Sequence, residues 1–249
     1  MIDLEKAKQE FINYTNNYDH EDHMINLKIN HSFRVMDISK EIAENLQLSE
    51  EDIELATLIG LLHDIARFEQ RKKYQTFSDS KSIDHGDFGV QILEEDNYLR
   101  KYIETEEFDS IIKASIKNHN KYEIEDGLDD RQMLFAKIIR DADKIDIFYE
   151  AVELFWDEND VKNIENSYVS KMYFSQVLNK KQILRTVNAT ALDRVVLLIS
   201  FVFDLNFEYS KKVIVDKNYI NIILNRFNFK SENTILQMEE VKKKLFSVL

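Results

Sequence analysis

Ile53-Glu54-Leu55-Ala56-Thr57-Leu58-Ile59-Gly60-Leu61-Leu62-His63-Asp64-Ile65-Ala66 decides the architecture of this chain. The run is apolar on nearly every side, as a helix at the centre of a bundle must be. Ahead of it, Ser49-Glu50-Glu51-Asp52 supplies a helix start, with Ser49 able to cap and Asp52 three residues on. The rest of the composition agrees. There is no proline and there are four glycines among 249 residues, too few for the positive-φ turns an all-β chain requires. With 44% hydrophobic residues the chain can build a core, and the fold expected is all-α.

Outward from that run, apolar residues recur at helical spacing almost throughout. The pattern predicts helices over 2–17 and about 25–46, separated by the polar patch Tyr18-Asp19-His20-Glu21-Asp22-His23. After the central helix, Arg71 to Asp84 reads as a long polar loop, the kind that tends to carry function. Helices are expected again at about 86–96, 106–120 and 130–157, the last opened by Asp129 or Asp130. Residues 157–188 are polar and weakly periodic and read as a boundary or excursion. A final block, 189–249, holds three helical patterns. The division expected is a helical core of 1–157 and a C-terminal helical subdomain of 158–249 packed on it.

Thirty-three basic against 46 acidic residues give a formal charge of −13, which disfavours a nucleic-acid polymer as partner. A small anionic substrate held by a metal and local cations remains compatible. Without cysteine, a metal has only nitrogen and oxygen ligands available. The first residues show no basic-then-apolar leader, and the longest apolar stretch, Val195 to Phe203, is too short to span a bilayer. A cytoplasmic protein without membrane attachment is the expectation.

The chemistry-bearing residues are histidines and aspartates set in apolar stripes. His31 interrupts the stripe of Leu27, Val35 and Ile38. His63 and Asp64 close the most hydrophobic helix, where a carboxylate is costly unless paired or metal-bound. Asp143 has Ala136, Ile139 and Ile147 on its own helical face; Asp141 and Asp146 are less well placed and read as solvated or supporting. His85 follows the long loop, and His119 ends the helix carrying Ile112, Ser115 and Ile116. Any one of these histidines alone reads most simply as structural. Together, four imidazoles and two carboxylates from separate segments form a set that suits a divalent transition metal. His20 and His23 read as a hydrated turn. The Lys242-Lys243-Lys244 run reads as a solvated face, and the aromatics Phe201, Phe203, Phe207 and Tyr209 as core or a subunit interface in a homo-oligomer.

The order His31 … His63-Asp64 … Asp143, with Leu62-His63-Asp64-Ile65-Ala66-Arg67 and Asp141-Ala142-Asp143-Lys144-Ile145-Asp146, resembles the HD superfamily of metal-dependent phosphohydrolases over about 25–150. The continuation after the His-Asp pair, with Thr76-Phe77-Ser78-Asp79 and Phe201-Val202-Phe203-Asp204, is similar to a poorly characterised bacterial subfamily. The resemblance implies a helical bundle and a metal held by His31, His63, Asp64 and Asp143. His85 and His119 match the extra histidines of the superfamily's binuclear branches, in which Asp64 would bridge two ions. The Gly-Tyr-Pro signature of the cyclic-dinucleotide enzymes is absent, as is the glycine-histidine step of many dNTP triphosphohydrolases.

The implied activity is hydrolysis of a phosphoester or phosphoanhydride in a nucleotide or another small phosphorylated substrate. It would use one or two ions of Fe, Mn, Ni, Co or Zn and an activated water. Asp64 and Arg67 would be the catalytic residues. Arg67, three residues after Asp64, is the first candidate to clamp phosphate, and a solvated end-of-helix cation is its plainer reading. The family counterpart of Lys144 often touches substrate phosphate, and Asn120 stands beside His119. Glu69 and Asp146 are weaker candidates for moving protons. The alternatives are a non-catalytic metal- or nucleotide-binding regulatory module on the same fold, and a helical interaction protein with incidental histidines.

Overall fold

The structure is a computed structural model that describes residues 2–184, 186 and 188–249. Among these residues there is no β-strand. The chain falls into two compact units, Met1–Asp143 and Lys144–Leu249, the division lying inside one long helix.

The first unit contains α1 (Leu4–Thr15), α2 (His23–Asn45), α3 (Glu50–Leu62), α4 (Ala66–Tyr74), α5 (His85–Glu94), α6 (Asp109–Asn118) and the start of α7 (Asp130–Glu153). Ser49 caps α3 as its sequence predicts, its hydroxyl accepting from the Asp52 amide at 3.2 Å. Asp129 does the same for α7 through the Gln132 amide at 2.8 Å. Phe11, Val35, Ile42, Leu58, Phe68 and Ile112 form a fully buried interior.

Two glycines set the spacing that matters. A Cβ on Gly60 would come within 2.7 Å of Ser39 Oγ and 2.8 Å of both Met36 Cα and Val35 O, so α2 and α3 lie pressed together there. A Cβ on Gly86 would meet Asn120 Oδ1 at 2.5 Å and Lys117 O at 2.8 Å, which brings the start of α5 against the end of α6. The connection between α2 and α3 is short, so the two run antiparallel. His31, one turn before Val35, and His63, one turn after Gly60, are therefore side by side.

The central apolar run does not form one helix. α3 stops at Leu62, and His63, Asp64 and Ile65 make a tightened turn before α4 begins at Ala66. The Gly60 carbonyl, which a continuing helix would give to an amide, takes the His63 ring Nδ1 at 2.8 Å instead. The predicted loop from Arg71 is also shorter. Arg71 to Tyr74 complete α4, and a 3-10 turn at Asp79–Lys81 organises the remainder.

The second unit contains the rest of α7, then α8 (Glu158–Glu165), α9 (Lys171–Leu178), α10 (Ala191–Ile199), α11 (Glu208–Asp216), α12 (Tyr219–Asn225) and α13 (Glu232–Phe246). The stretch 157–188, expected to be a boundary or excursion, holds α8 and α9; its residues 185 and 187 lie outside the described residues. Asp157 opens α8 with a capping box closed by Asp160. The block 189–249 has α10 to α13 where three helical patterns were expected, because short turns split the apolar pattern. No helix among the described residues is long and apolar enough to cross a membrane.

Candidate metal centre

The first unit gathers six groups named from the sequence. His31 comes from α2, His63 and Asp64 from the turn between α3 and α4, His85 from the first residue of α5, His119 from the end of α6, and Asp143 from α7. On one side, His31 Nε2 lies 3.2 Å from His63 Nε2, 3.5 Å from Asp64 Oδ2 and 3.2 Å from Asp143 Oδ1. His63 Nε2 is 3.7 Å from both carboxylates. On the other, His85 Nε2 and His119 Nε2 are 2.9 Å apart and stand 3.4 and 3.5 Å from Asp64 Oδ1. All four rings are buried, and the Asp64 side chain is 3% exposed.

The protonation of these rings follows from their partners. His63 Nδ1 faces the Gly60 carbonyl at 2.8 Å and His119 Nδ1 faces the Ile116 carbonyl at 2.7 Å. A carbonyl only accepts, so both rings carry a proton on Nδ1, and in the neutral tautomer Nε2 is bare. His85 Nδ1 lies 2.6 Å from Asp79 Oδ2. Burial would raise the pKa of Asp79, but the His85 hydrogen bond foremost, with Arg67 and Gln70, holds it below the usual carboxylate range. Asp79 is then an acceptor, and the His85 Nε2 is bare as well. Burial, and then Arg67, push the His85 pKa down to about 4, so the ring is neutral near pH 7.

Three lone-pair atoms therefore converge: His85 Nε2, His119 Nε2 and an Asp64 Oδ1 that accepts no hydrogen bond. Such a convergence is repulsive unless a cation stands among them. The donor separations also fit. Ligands at metal distances of about 2.1 Å lie roughly 3.0–3.4 Å from one another in octahedral and tetrahedral sites. His31, His63 and Asp64 form one group able to hold an ion, and Asp64, His85 and His119 a second. Asp64 belongs to both, one oxygen facing each.

Charge around the centre is balanced by two cations. Lys28 Nζ lies 2.9 Å from Asp64 Oδ2, and Arg67 Nε lies 3.4 Å from Asp64 Oδ1. Burial favours a high pKa for Asp64, yet the cations Lys28 and Arg67 outweigh it and keep the group well below the ordinary carboxylate value. For Asp143, burial is opposed foremost by the hydrogen bond from His31, and the net direction is likewise strongly down. His63 itself is lowered, chiefly by burial.

Lys28 did not stand out in the sequence. Its signal was its place three residues before His31, on the same helical face. Asp79 and Gln70 were also missed. Asp79 takes Arg67 Nη1 at 3.0 Å and Gln70 Nε2 at 3.0 Å on the oxygen opposite His85.

The remaining sequence candidates fall as follows. Arg67 stands beside Asp64 as expected, with Nη1 also reaching Gln70 Oε1 and the Phe77 carbonyl. Asn120 donates to Asp79 and Asp84, both at 3.2 Å, and so ties the turn before α5. Lys144 lies in the second unit, where its ammonium pairs with Asp204 at 2.7 Å and sits over the Phe201 ring. Asp141 and Asp146 are buried, which overturns the solvated reading of the two residues. His20 and His23 are exposed as expected, and Glu69 accepts from the Tyr18 hydroxyl at 3.2 Å.

Helices that deliver imidazole and carboxylate groups to one buried point make a helical domain able to hold a metal. Residues 29–147 match the HD domain family, a helical family most of whose members are metal-dependent hydrolases. No curated protein and no solved structure matches the chain.

Proposed function

We propose that this protein is a metal-dependent phosphohydrolase acting on a nucleotide or another small phosphorylated substrate. The observation that carries the reading is the convergence of bare imidazole nitrogens on the buried Asp64, His63 toward one oxygen and His85 and His119 toward the other. His31, His63, Asp64 and Asp143 would hold one divalent transition ion, and Asp64, His85 and His119 a second. Such ions lower the pKa of a water and neutralise phosphoryl charge.

The chain's own groups do the rest. Asp64 presents both oxygens, and the backbone carbonyls of Gly60 and Ile116 keep His63 and His119 aimed inward. Lys28 and Arg67 are the cations nearest the centre, and they would bind and orient the phosphate. Asn120 is matched by Asp79 and Asp84, so in this reading it supports the site without gripping the phosphate. Imidazole and carboxylate ligands together accommodate Fe, Mn, Ni, Co or Zn.

The test is direct. Protein purified without chelator is analysed for metal, then offered a generic aryl phosphate and a nucleotide panel with Mn²⁺, Fe²⁺, Co²⁺ or Ni²⁺. Turnover that disappears in His63→Ala and Asp64→Ala together with the metal supports the reading. Bound metal without turnover on any phosphate would favour a regulatory module, and full activity in either variant would refute the site.

A further inference from the structure

Asp79 lies in the 3-10 turn between α4 and α5, outside every group assigned above to an ion or a phosphate. Its carboxylate nevertheless serves two sets of donors. Oδ1 accepts from Arg67 Nη1 and Gln70 Nε2, each at 3.0 Å. Oδ2 accepts from His85 Nδ1 at 2.6 Å and from Asn120 Nδ2 at 3.2 Å. The turn is itself fastened: Gln70, fully buried, also donates to Ser82 Oγ at 2.9 Å and to the Ile83 carbonyl at 3.0 Å.

We infer that Asp79 is a positioning residue that assembles the second ion-binding group. Through Oδ2 it fixes the tautomer and the plane of the His85 ring, and through Oδ1 it holds the Arg67 guanidinium against Asp64. The inference rests on the two-ion reading given above. His85 differs here from its neighbours. His63 and His119 are oriented by carbonyls of their own helices, three residues back. His85 begins α5 and has no preceding helical turn to lean on. Its orientation depends on a side chain from the turn. Removal of such an outer partner typically lowers metal affinity about 10–100-fold, because the ring then samples both tautomers and other rotations.

The experiment uses the full chain, stripped and reloaded with Mn²⁺, and reads binding stoichiometry, stepwise affinity and the electron paramagnetic resonance spectrum. The variants are Asp79→Ala, the near-isosteric Asp79→Asn, His85→Ala and the double Asp79→Ala/His85→Ala. Unvaried protein should take two ions and give an exchange-coupled spectrum. The Asp79 variants should keep the first affinity, lose about 10–100-fold in the second, and show uncoupled Mn²⁺ at the same loading. In the His85→Ala background, Asp79→Ala should cause no further loss, since the two act as one unit.

Asp79 variants that bind both ions as tightly as the unvaried protein would overturn the inference while leaving the two-ion reading intact. An equal additional loss in the His85→Ala background would do the same, because Asp79 would then act independently of the ring. A single ion in the unvaried protein, unchanged by His85→Ala, would sink the two-ion reading and this inference with it. Asp79→Asn keeps the volume and one acceptor, and it carries the test should Asp79→Ala fail to fold.

Discussion

Lys28→Met isolates what the ammonium beside Asp64 contributes. The Asp64 side chain is 3% exposed and that of Lys28 14%, with 2.9 Å between Nζ and Oδ2. Breaking a buried pair by removing one partner costs about 3–5 kcal/mol. Arg67 remains 3.4 Å away on the other oxygen, so the expected loss is smaller, about 2–3 kcal/mol. At roughly 2–4 °C per kcal/mol for a chain of this size, metal-free Lys28→Met should melt about 4–12 °C lower.

An ion approaching Asp64 Oδ2 has to displace that ammonium, and in the variant nothing stands in its way. The rise in melting temperature on adding Mn²⁺ should therefore be larger in Lys28→Met than in the unvaried protein. If Lys28 also orients phosphate, KM should rise in the variant. Calorimetry of both proteins, with chelator and then with a series of Mn²⁺ concentrations, measures all the stability effects. A metal-free variant that melts within about 1 °C of the parent, or a smaller metal-induced rise, would show that Lys28 does not neutralise Asp64.

Gly60→Ala places a methyl against two backbone atoms that cannot rotate away, Met36 Cα and Val35 O. Overpacking of about 1–3 kcal/mol outweighs a helix-propensity gain of about 1 kcal/mol, so the variant should be less stable and bind its first ion more weakly; a more stable protein with unchanged binding contradicts the close approach of α2 and α3. Arg140 is buried and donates to the Asn118, Lys121 and Tyr122 carbonyls at 2.8, 2.6 and 3.3 Å, which closes the chain end that carries His119. Arg140→Met should cost about 3 kcal/mol or more and speed amide hydrogen exchange around 118–125; unaltered exchange there would mean the clamp does not order the segment.

Much of the site was legible because charge inside an apolar stripe is costly. His63 and Asp64 stood at the end of a run with Leu58, Leu61 and Leu62, and the residues around Asp143 repeated the contradiction. The same logic hid the break between α3 and α4. Ile65, Ala66 and Phe68 are as buried as the leucines before them, so the apolar pattern runs on where the backbone turns. α4 ends in Arg71-Lys72-Lys73-Tyr74, whose mostly polar side chains look like loop although their backbone is helical. α8 and α9 are too short for periodicity to accumulate. Lys28 went unseen and Asp79, quoted only within a subfamily stretch, was given no role, because an isolated lysine on a mixed helix and an aspartate in a polar loop look the same whether solvated or facing a buried partner. Only the fold distinguishes the two.

The metal centre and the helix ends are one construction. His63 and His119 each follow the last residue of a helix, and each turns its Nδ1 back to the carbonyl three residues earlier. That single bond satisfies a terminal carbonyl, stops the helix and leaves Nε2 bare toward Asp64. It follows that His63→Ala removes a cap and a ligand at once, and its loss of stability alone says nothing of metal. His63→Asn separates the two roles: its amide can still donate to the Gly60 carbonyl, while no imidazole remains. If the bare nitrogen serves an ion, His63→Asn should recover much of the melting temperature lost in His63→Ala and none of the lost metal. Recovery of metal binding with it would mean that the ring's contribution is the cap.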